Sequence, residues 1–355
     1  MNLSNNIKDM LWSVKKSKKT PVIIVVIVLI IIAIVAGSYL FKSEETVTGN
    51  TNSERNSNNI SEEMRAIDGT WVEIGRENMN PVAIMIENLV ASRPQSGVNK
   101  ANLVYEVLVE GGITRFMAVY ASGDEVEKIG PVRSARDYYL DWAKELNAVY
   151  AHVGGSPKSF ELIPQYDIID LNQFYNSQYF WRSSDRYAPH NLYTSSELLA
   201  RAIRDKDFSE TGDYESWEYS KTANPADSEK TLTIGFSTYN YLVEYKYNKT
   251  NNEFIRYQAG EPHTMENGEA ISAKNVVVQY VKTRTADDEN RLSIETIGEG
   301  DARIYIDGKE INGQWKKPAR DERTKYYDSS GDEIEFNRGT TWVEVLPTDR
   351  TVTFE

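Results

Sequence analysis

The stretch Leu103–Asp137, LVYEVLVEGGITRFMAVYASGDEVEKIGPVRSARD, decides how the chain is read. Alternation along Leu103 to Glu110 places Tyr105, Val107 and Val109 on one side of a strand and Val104, Glu106, Leu108 and Glu110 on the other. Gly111-Gly112 supplies the positive φ angles of a two-residue hairpin turn. That turn sets Glu110 opposite Ile113, Leu108 opposite Arg115 and Glu106 opposite Met117. Arg115 then lies diagonally between both glutamates on one sheet face, within reach of a long side chain. After Gly130-Pro131, Ser134 followed three residues later by Asp137 reads as a capping box. It predicts a helix to about Leu146, with Tyr139, Trp142, Ala143 and Leu146 as its apolar stripe. Arg133 and Arg136 fall at the start of that helix, where a cation opposes the dipole by a few tenths to about 1 kcal/mol. They are expected to answer the hairpin carboxylates or an anionic ligand.

Outward from this stretch, Pro81–Glu87 (PVAIMIE) reads as a buried strand and Arg93–Gly97 as a turn. Val149–Val153 reads as a strand running into Gly154-Gly155-Ser156-Pro157, with Ser156 as N-cap and Pro157 at the first position of a helix reaching Ile163. The glycine pair is either a plain strand-to-helix turn or a cradle for an anion, which makes His152 and Ser156 ligand-binding candidates. Phe180-Trp181-Arg182 and Ala188-Pro189-His190-Asn191 flank a polar loop, and Thr194–Glu197 is a second capping box opening a helix to about Arg204. Beyond residue 216, β-rich runs recur between turns: Thr231–Phe236, Tyr239–Tyr247, Glu253–Tyr257, Val276–Val281, Ser293–Ile297, Arg303–Ile306 and Thr341–Leu346. Tyr239, Tyr241, Tyr245, Tyr247, Trp315 and Trp342 read as core and cross-strand packing, with stacking on sugar rings as the alternative.

Residues 21–41, PVIIVVIVLIIIAIVAGSYLF, carry no charge and at 1.5 Å per residue span roughly 30 Å, the thickness of a bilayer core. Lys8, Lys15, Lys16, Lys18 and Lys19 precede them against Asp9 alone, so the positive-inside rule places the N-terminus in the cytoplasm and the bulk of the chain outside. The expected class is therefore α+β: a cytoplasmic tail (1–20), a single-pass transmembrane helix (21–41), a polar flexible linker (42–66), a mixed α/β domain (67–215) and a mainly β domain (216–355).

Composition narrows the chemistry. The 355 residues contain no cysteine and three histidines, so disulfides, thiolate sites and cysteine nucleophiles are excluded. No HExxH helix occurs, and neither metal nor cofactor is expected. Net charge is -13, which argues against a nucleic-acid partner. The only Ser-x-x-Lys is Ser13–Lys16, inside the cell by this topology, and no Lys-Thr-Gly follows, so transpeptidase chemistry is excluded; no Gly-x-Ser-x-Gly elbow or P-loop is present.

The two folded parts together resemble the YerB-like lipoproteins of Gram-positive bacteria, a two-domain envelope family. The resemblance covers about 68–355 and rests on Pro81–Asn88, Arg93–Gly97, Tyr105-Glu106, Val109–Phe116, Ile129–Ala135, His152–Pro157, Phe180–Arg182, Pro189–Thr194, Gly260–His263, Ala273–Val278 and Gly339–Val345. Two positions depart from the family pattern: the 21–41 segment replaces a lipid-anchoring cysteine, and Met265 replaces an acidic residue shortly after His263. The resemblance implies an envelope location and a two-domain fold, and no established reaction.

Carboxylate acid/base chemistry and pure binding remain. A tethered protein reaches the wall, and glycan cleavage needs a carboxylic acid, usually with a second carboxylate. Glu110, at a hairpin end, is the first candidate for that acid, with Glu106 and Asp141 next. Arg115, Arg133, Arg136 and Arg182 would bind substrate carboxylates or orient the acid, and His190 and Asn191 would contact sugar or peptide. The alternatives are a non-catalytic module binding peptidoglycan or envelope proteins through a structural ion-pair network, and a receptor for a small anionic ligand.

Overall fold

A computed structural model describes residues 62–355. The expected membrane helix at 21–41 and most of the linker lie outside the described residues; among the described residues no helix is long and apolar enough to cross a membrane. The end of the expected linker is folded. Glu62–Met64 pairs with Trp71–Glu73 in a two-stranded ribbon, and Arg65 bridges Asp68 and Asp124.

Ten strands form one mixed sheet. In chain order they are β1 (Pro81–Glu87), β2 (Leu103–Leu108), β3 (Thr114–Ala121), β4 (Val149–His152) and β5 (Ile169–Asn172) from the first half. A second sheet follows, with β6 (Thr231–Gly235), β7 (Leu242–Asn248), β8 (Glu253–Gln258), β9 (Glu261–Pro262) and β10 (Ser272–Ala273). The large sheet then continues with β11 (Asn275–Val281), β12 (Gly298–Ile306), β13 (Lys309–Lys317), β14 (Lys325–Asp328) and β15 (Thr341–Pro347), and β16 (Val352–Phe354) returns to the second sheet. The large sheet runs β14-β13-β12-β11-β15-β2-β3-β1-β4-β5, and the smaller one β9-β8-β7-β6-β16 with β10 beside β8. The parallel pairing of β15 with β2 carries the large sheet across residue 215.

The expected mixed α/β character of the first domain does not hold: the described region is mainly β, with three short α-helices among the described residues, α1 (Tyr139–Glu145), α2 (Pro157–Gln165) and α3 (Ser196–Asp205). The clearest departure is at 131–135. Instead of opening a helix at Ser134, this segment runs extended. Arg133 N–H donates to Met85 O, Val153 N–H donates to Arg133 O and Ala135 N–H donates to Gly154 O. The open backbone groups at the ends of β1 and β4 take these residues before a helix can form. Helix α1 starts at Tyr139 with no side-chain cap. Ser156 caps α2 as expected, and Ser195, one residue after Thr194, caps α3. In the second half β13 and β14 were not legible, because Lys309–Lys317 (KEINGQWKK) is largely polar and lacks an apolar alternation.

Both faces of the large sheet are covered, which is why β1, β2 and β3 are buried at every position. Val104, Leu108, Phe116 and Ala118 pack with Leu232, Ile234, Val243 and Phe254 of the smaller sheet and with Leu199 and Ile203 of α3. Tyr105, Val107 and Met117 face Tyr139 and Trp142 of α1 and Trp315, Tyr326 and Phe336 of the second half. Of the aromatic residues considered for sugar stacking in the second half, Tyr241, Tyr245, Tyr247, Trp315 and Trp342 are core and Tyr239 is exposed.

Candidate functional site

Strands β5, β4, β1 and β2 run in the same direction, and their carboxyl ends fall at Asn172, His152, Glu87 and Leu108 along one rim of the sheet. The extended 130–136 segment lies along this rim and carries Arg133 and Arg136 to two carboxylates. Arg133 Nε stands 3.0 Å from Glu87 Oε1, and Arg136 grips Glu110 through two bonds of 2.5 and 2.8 Å.

The hairpin differs from its expected register. A three-residue loop, Glu110–Gly112, joins the strands, with Gly111 and Gly112 at φ 70° and 72°. Glu106 therefore pairs with Phe116 and Val107 with Arg115. A one-residue slip exchanges sheet faces. Arg115 lies on the Tyr105–Val107 side, away from Glu106, and donates to Ser134 O at 2.6 Å. Burial alone would raise the Glu110 carboxyl, but the hydrogen bonds and charge of Arg136, with Arg115 nearby, hold it below the usual carboxylate range. Glu110 is thus a charged anchor for Arg136, a role better suited to orienting a cation than to donating a proton.

A connected polar run continues along the rim. Glu87 is buried, and its second oxygen is 2.8 Å from His190 Nδ1, which leaves the His190 Nε2 facing outward. Asn191 accepts from Arg182 Nη1 at 2.8 Å and donates to Ser183 O and Arg186 O. His152 is wholly buried, with Nδ1 2.7 Å from Gly154 O and Nε2 2.7 Å from Asp170 Oδ1. Ser156 accepts from Ser159 N–H at 3.1 Å, so it serves the helix start and not an anion.

Two catalytic candidates lie elsewhere. Asp141 on α1 accepts from Thr296 Oγ1 and from Arg320 Nε at 2.6 Å. Glu106 sits in the core between the two sheets, where it accepts from Arg256 Nη2, Thr114 Oγ1 and Asn88 Nδ2. Beside it, across the parallel β2–β15 pairing, is the equally buried Glu344, which accepts from Tyr245 Oη. Burial first, and the Glu106 charge second, push the Glu344 carboxyl well above the ordinary value of 4.5. A carboxyl raised on folding binds its proton more tightly in the native state, so stability falls as pH rises above about 4.5. Glu344→Gln keeps an acceptor for Tyr245 and is expected to be more stable than the parent chain at pH 8. Thermal unfolding between pH 5 and 8 checks this, and a less stable variant at pH 8 would show that the Glu344 charge is needed.

Several rim residues were not singled out in the sequence. Glu87 hid inside an apolar run, and Asp170 and Asn172 belong to a strand too short to stand out. The exposed rings of Phe174, Tyr175 and Tyr187 carry a signal in retrospect, as aromatic residues in polar loops. The Phe174 ring lies 3.1 Å from where a Cβ on Gly154 would sit, beside Ser134, so it borders the arginine-bearing segment. Among the described residues no three His, Asp or Glu side chains are placed to hold a metal ion.

Comparison with known proteins is consistent over this whole region. The N-terminal domain of a protein family of unknown function, DUF3048, matches residues 68–209, and the C-terminal domain of the same family matches 232–343. YerB of Bacillus subtilis strain 168, named as a candidate lipoprotein, is 29% identical over 278 residues, covering 75% of this chain and 81% of YerB. The crystal structure of the YerB protein from Bacillus subtilis superposes with a TM-score of 0.73 at 26% identity, covering 81% of this chain and 98% of the crystallised one.

Proposed function

Because the chain belongs to the two-domain DUF3048 family of YerB-like proteins, we propose that it is an envelope-associated binding module that grips the cell wall at the carboxyl rim of its large sheet. The observation that carries this is two pairings that meet at the chain neighbours His190 and Asn191, namely Arg182–Asn191 and His190–Glu87–Arg133, together with the exposed rings of Tyr187 and Phe174. Buried Glu87 holds Arg133 and His190 in place, while Arg133 and Arg182 retain N–H groups for an incoming carboxylate. Aromatic rings left in water are suited to sugar faces. Peptidoglycan presents both carboxylates and sugar rings. The lysine-flanked apolar run at 21–41 supports membrane attachment with the folded region on the outer side.

The test is co-sedimentation of the full chain with purified sacculi. Each charge-assisted contact is worth roughly 1.5–3 kcal/mol, so Arg133→Gln with Arg182→Ala is expected to weaken retention at least tenfold. Retention of the parent chain should also fall with added salt, because these side chains are partly exposed. A parent chain that stays in the supernatant sinks the proposal.

Cleavage of wall glycan is the second reading. Asp137 speaks for it: burial first, then neighbouring Asp141, raise its carboxyl, and it follows Arg136 in the chain. Soluble muropeptides released from sacculi, and lost in both Asp137→Asn and Glu110→Gln, would favour this reading over binding alone.

A further inference from the structure

Strand β5 is the outer edge of the large sheet, and between it and α2 lies a groove of about 520 Å³ lined by Phe160, Ile163, Pro164, Asp170, Asn172 and Tyr175. Two polar groups in it are fixed by the fold. Asn172 is only 1% exposed, and its Oδ1 accepts from the backbone N–H groups of Gly154 and Phe174, both at 3.2 Å. Only the oxygen of a carboxamide accepts from two amides, so the group cannot be flipped. Its Nδ2 has no partner among the described residues and is still reached by solvent. Asp170 is held through Oδ1 by the wholly buried His152, whose other ring nitrogen is occupied by Gly154 O. The carboxylate is therefore aimed, with a second oxygen open and about a third of the side chain exposed. The rings of Tyr175 and Phe160, 82% and 43% exposed, line the same groove.

We propose that this groove is a subsite for a neutral, N-acetylated pyranose. Tyr175 and Phe160 pack on the sugar's apolar face, Asp170 accepts from its hydroxyls, and Asn172 Nδ2 donates to the acetamido oxygen. A locked donor that is almost wholly buried has no use in the fold and fits a ligand oxygen. The Asp170 carboxylate disfavours an acidic sugar, which the arginine rim would take instead. The two sites meet through Gly154, whose N–H is held by Asn172 and whose carbonyl accepts from Ala135 of the arginine-bearing segment. The inference rests on the wall-binding reading and names the part of the strand that the groove holds.

Titration of the full chain, in a detergent without a sugar headgroup, with chitotetraose and cellotetraose tests it. Chitotetraose is expected to bind and cellotetraose to bind at least tenfold more weakly, because it lacks the acetamido oxygen. Tyr175→Ala and Asp170→Asn should each weaken chitotetraose about tenfold, equivalent to about 1.4 kcal/mol. Tyr175 is almost wholly exposed, so that variant should unfold at the parent temperature even if Asp170→Asn disturbs His152. No chitotetraose binding, with sacculus retention intact, overturns the subsite and leaves wall binding standing. Binding that is indifferent to Tyr175→Ala overturns it as well. Groove-dependent chitotetraose binding without sacculus retention supports the subsite and removes the wall as its target.

Discussion

Glu106→Leu is expected to destabilise the protein by about 3–5 kcal/mol, the loss typical of stranding a buried charge. The charge left behind is Arg256, wholly buried and donating to Glu106 through Nη2. No other side-chain bond to its Nε or Nη1 replaces that contact. Besides the buried Glu344, whose carboxyl burial raises, what surrounds it is aromatic: its guanidinium carbon is 4.7 Å from the Trp342 ring centroid, 5.6 Å from that of Tyr245 and 5.7 Å from that of Phe116. Ring faces attract the cation, but they do not replace a carboxylate. The variant also removes the acceptor of Thr114 Oγ1 and one of the two acceptors of Asn88 Nδ2. The double variant Glu106→Leu with Arg256→Met should recover most of the loss, since removing both charges leaves no unpaired ion. Denaturant unfolding of the two single variants and the double checks this. A single-variant loss below about 1 kcal/mol would mean that Glu106 is not a structural ion. The measurement bears on function too, because a carboxylate committed to Arg256 inside the core is out of reach of a polysaccharide.

The second large effect is expected at Glu145. This carboxylate, at the end of α1, is buried and receives Lys317 Nζ at 2.7 Å, Arg323 Nη1, Tyr105 Oη at 2.9 Å and both the N–H and Oγ1 of Thr324. Burial pushes its carboxyl up, but the charges of Lys317 and Arg323 outweigh that and bring it from 4.5 down to about 2. A depressed carboxylate stabilises the fold at pH above its unfolded value, and that stability disappears as pH falls from about 4.5 toward 2. The shift corresponds to roughly 3 kcal/mol. Glu145→Gln should lose about that much at pH 7, and more if Lys317 and Arg323 stay unpaired in the interior. Its stability should then change less between pH 5 and 2 than that of the parent chain. Acid titration followed by near-ultraviolet circular dichroism distinguishes the two, and identical acid limbs would show that Glu145 does not carry the linkage.

These two clusters show where local reading stops. The strand at Leu103–Leu108, the glycine-bearing hairpin loop, the Ser156 cap and most strands of the second half are legible because each depends on residues a few positions apart. The register of the hairpin was not. Gly111-Gly112 fits a two-residue turn as well as the three-residue loop that forms, and the choice moves Arg115 to the opposite face from Glu106. The α+β reading failed for a related reason. A capping box at Ser134 is a valid local signal, yet backbone groups of β1 and just past β4 claim the same residues.

By itself the sequence determined the absence of thiol chemistry, the apolar run with its lysine flank, the β-rich runs of the second half and the family pattern that spans both halves. Only the tertiary structure decided which charges meet. Arg256 reaches Glu106 from 150 positions away and Arg323 reaches Glu145 from 178. It also decided that Glu110 anchors Arg136 and that Asp170, Asn172 and Tyr175 share a groove. Backbone preferences are set by neighbours in the chain. Burial and charge pairing are set by neighbours in space, and in a sheet assembled from distant strands those are chosen by register and closure.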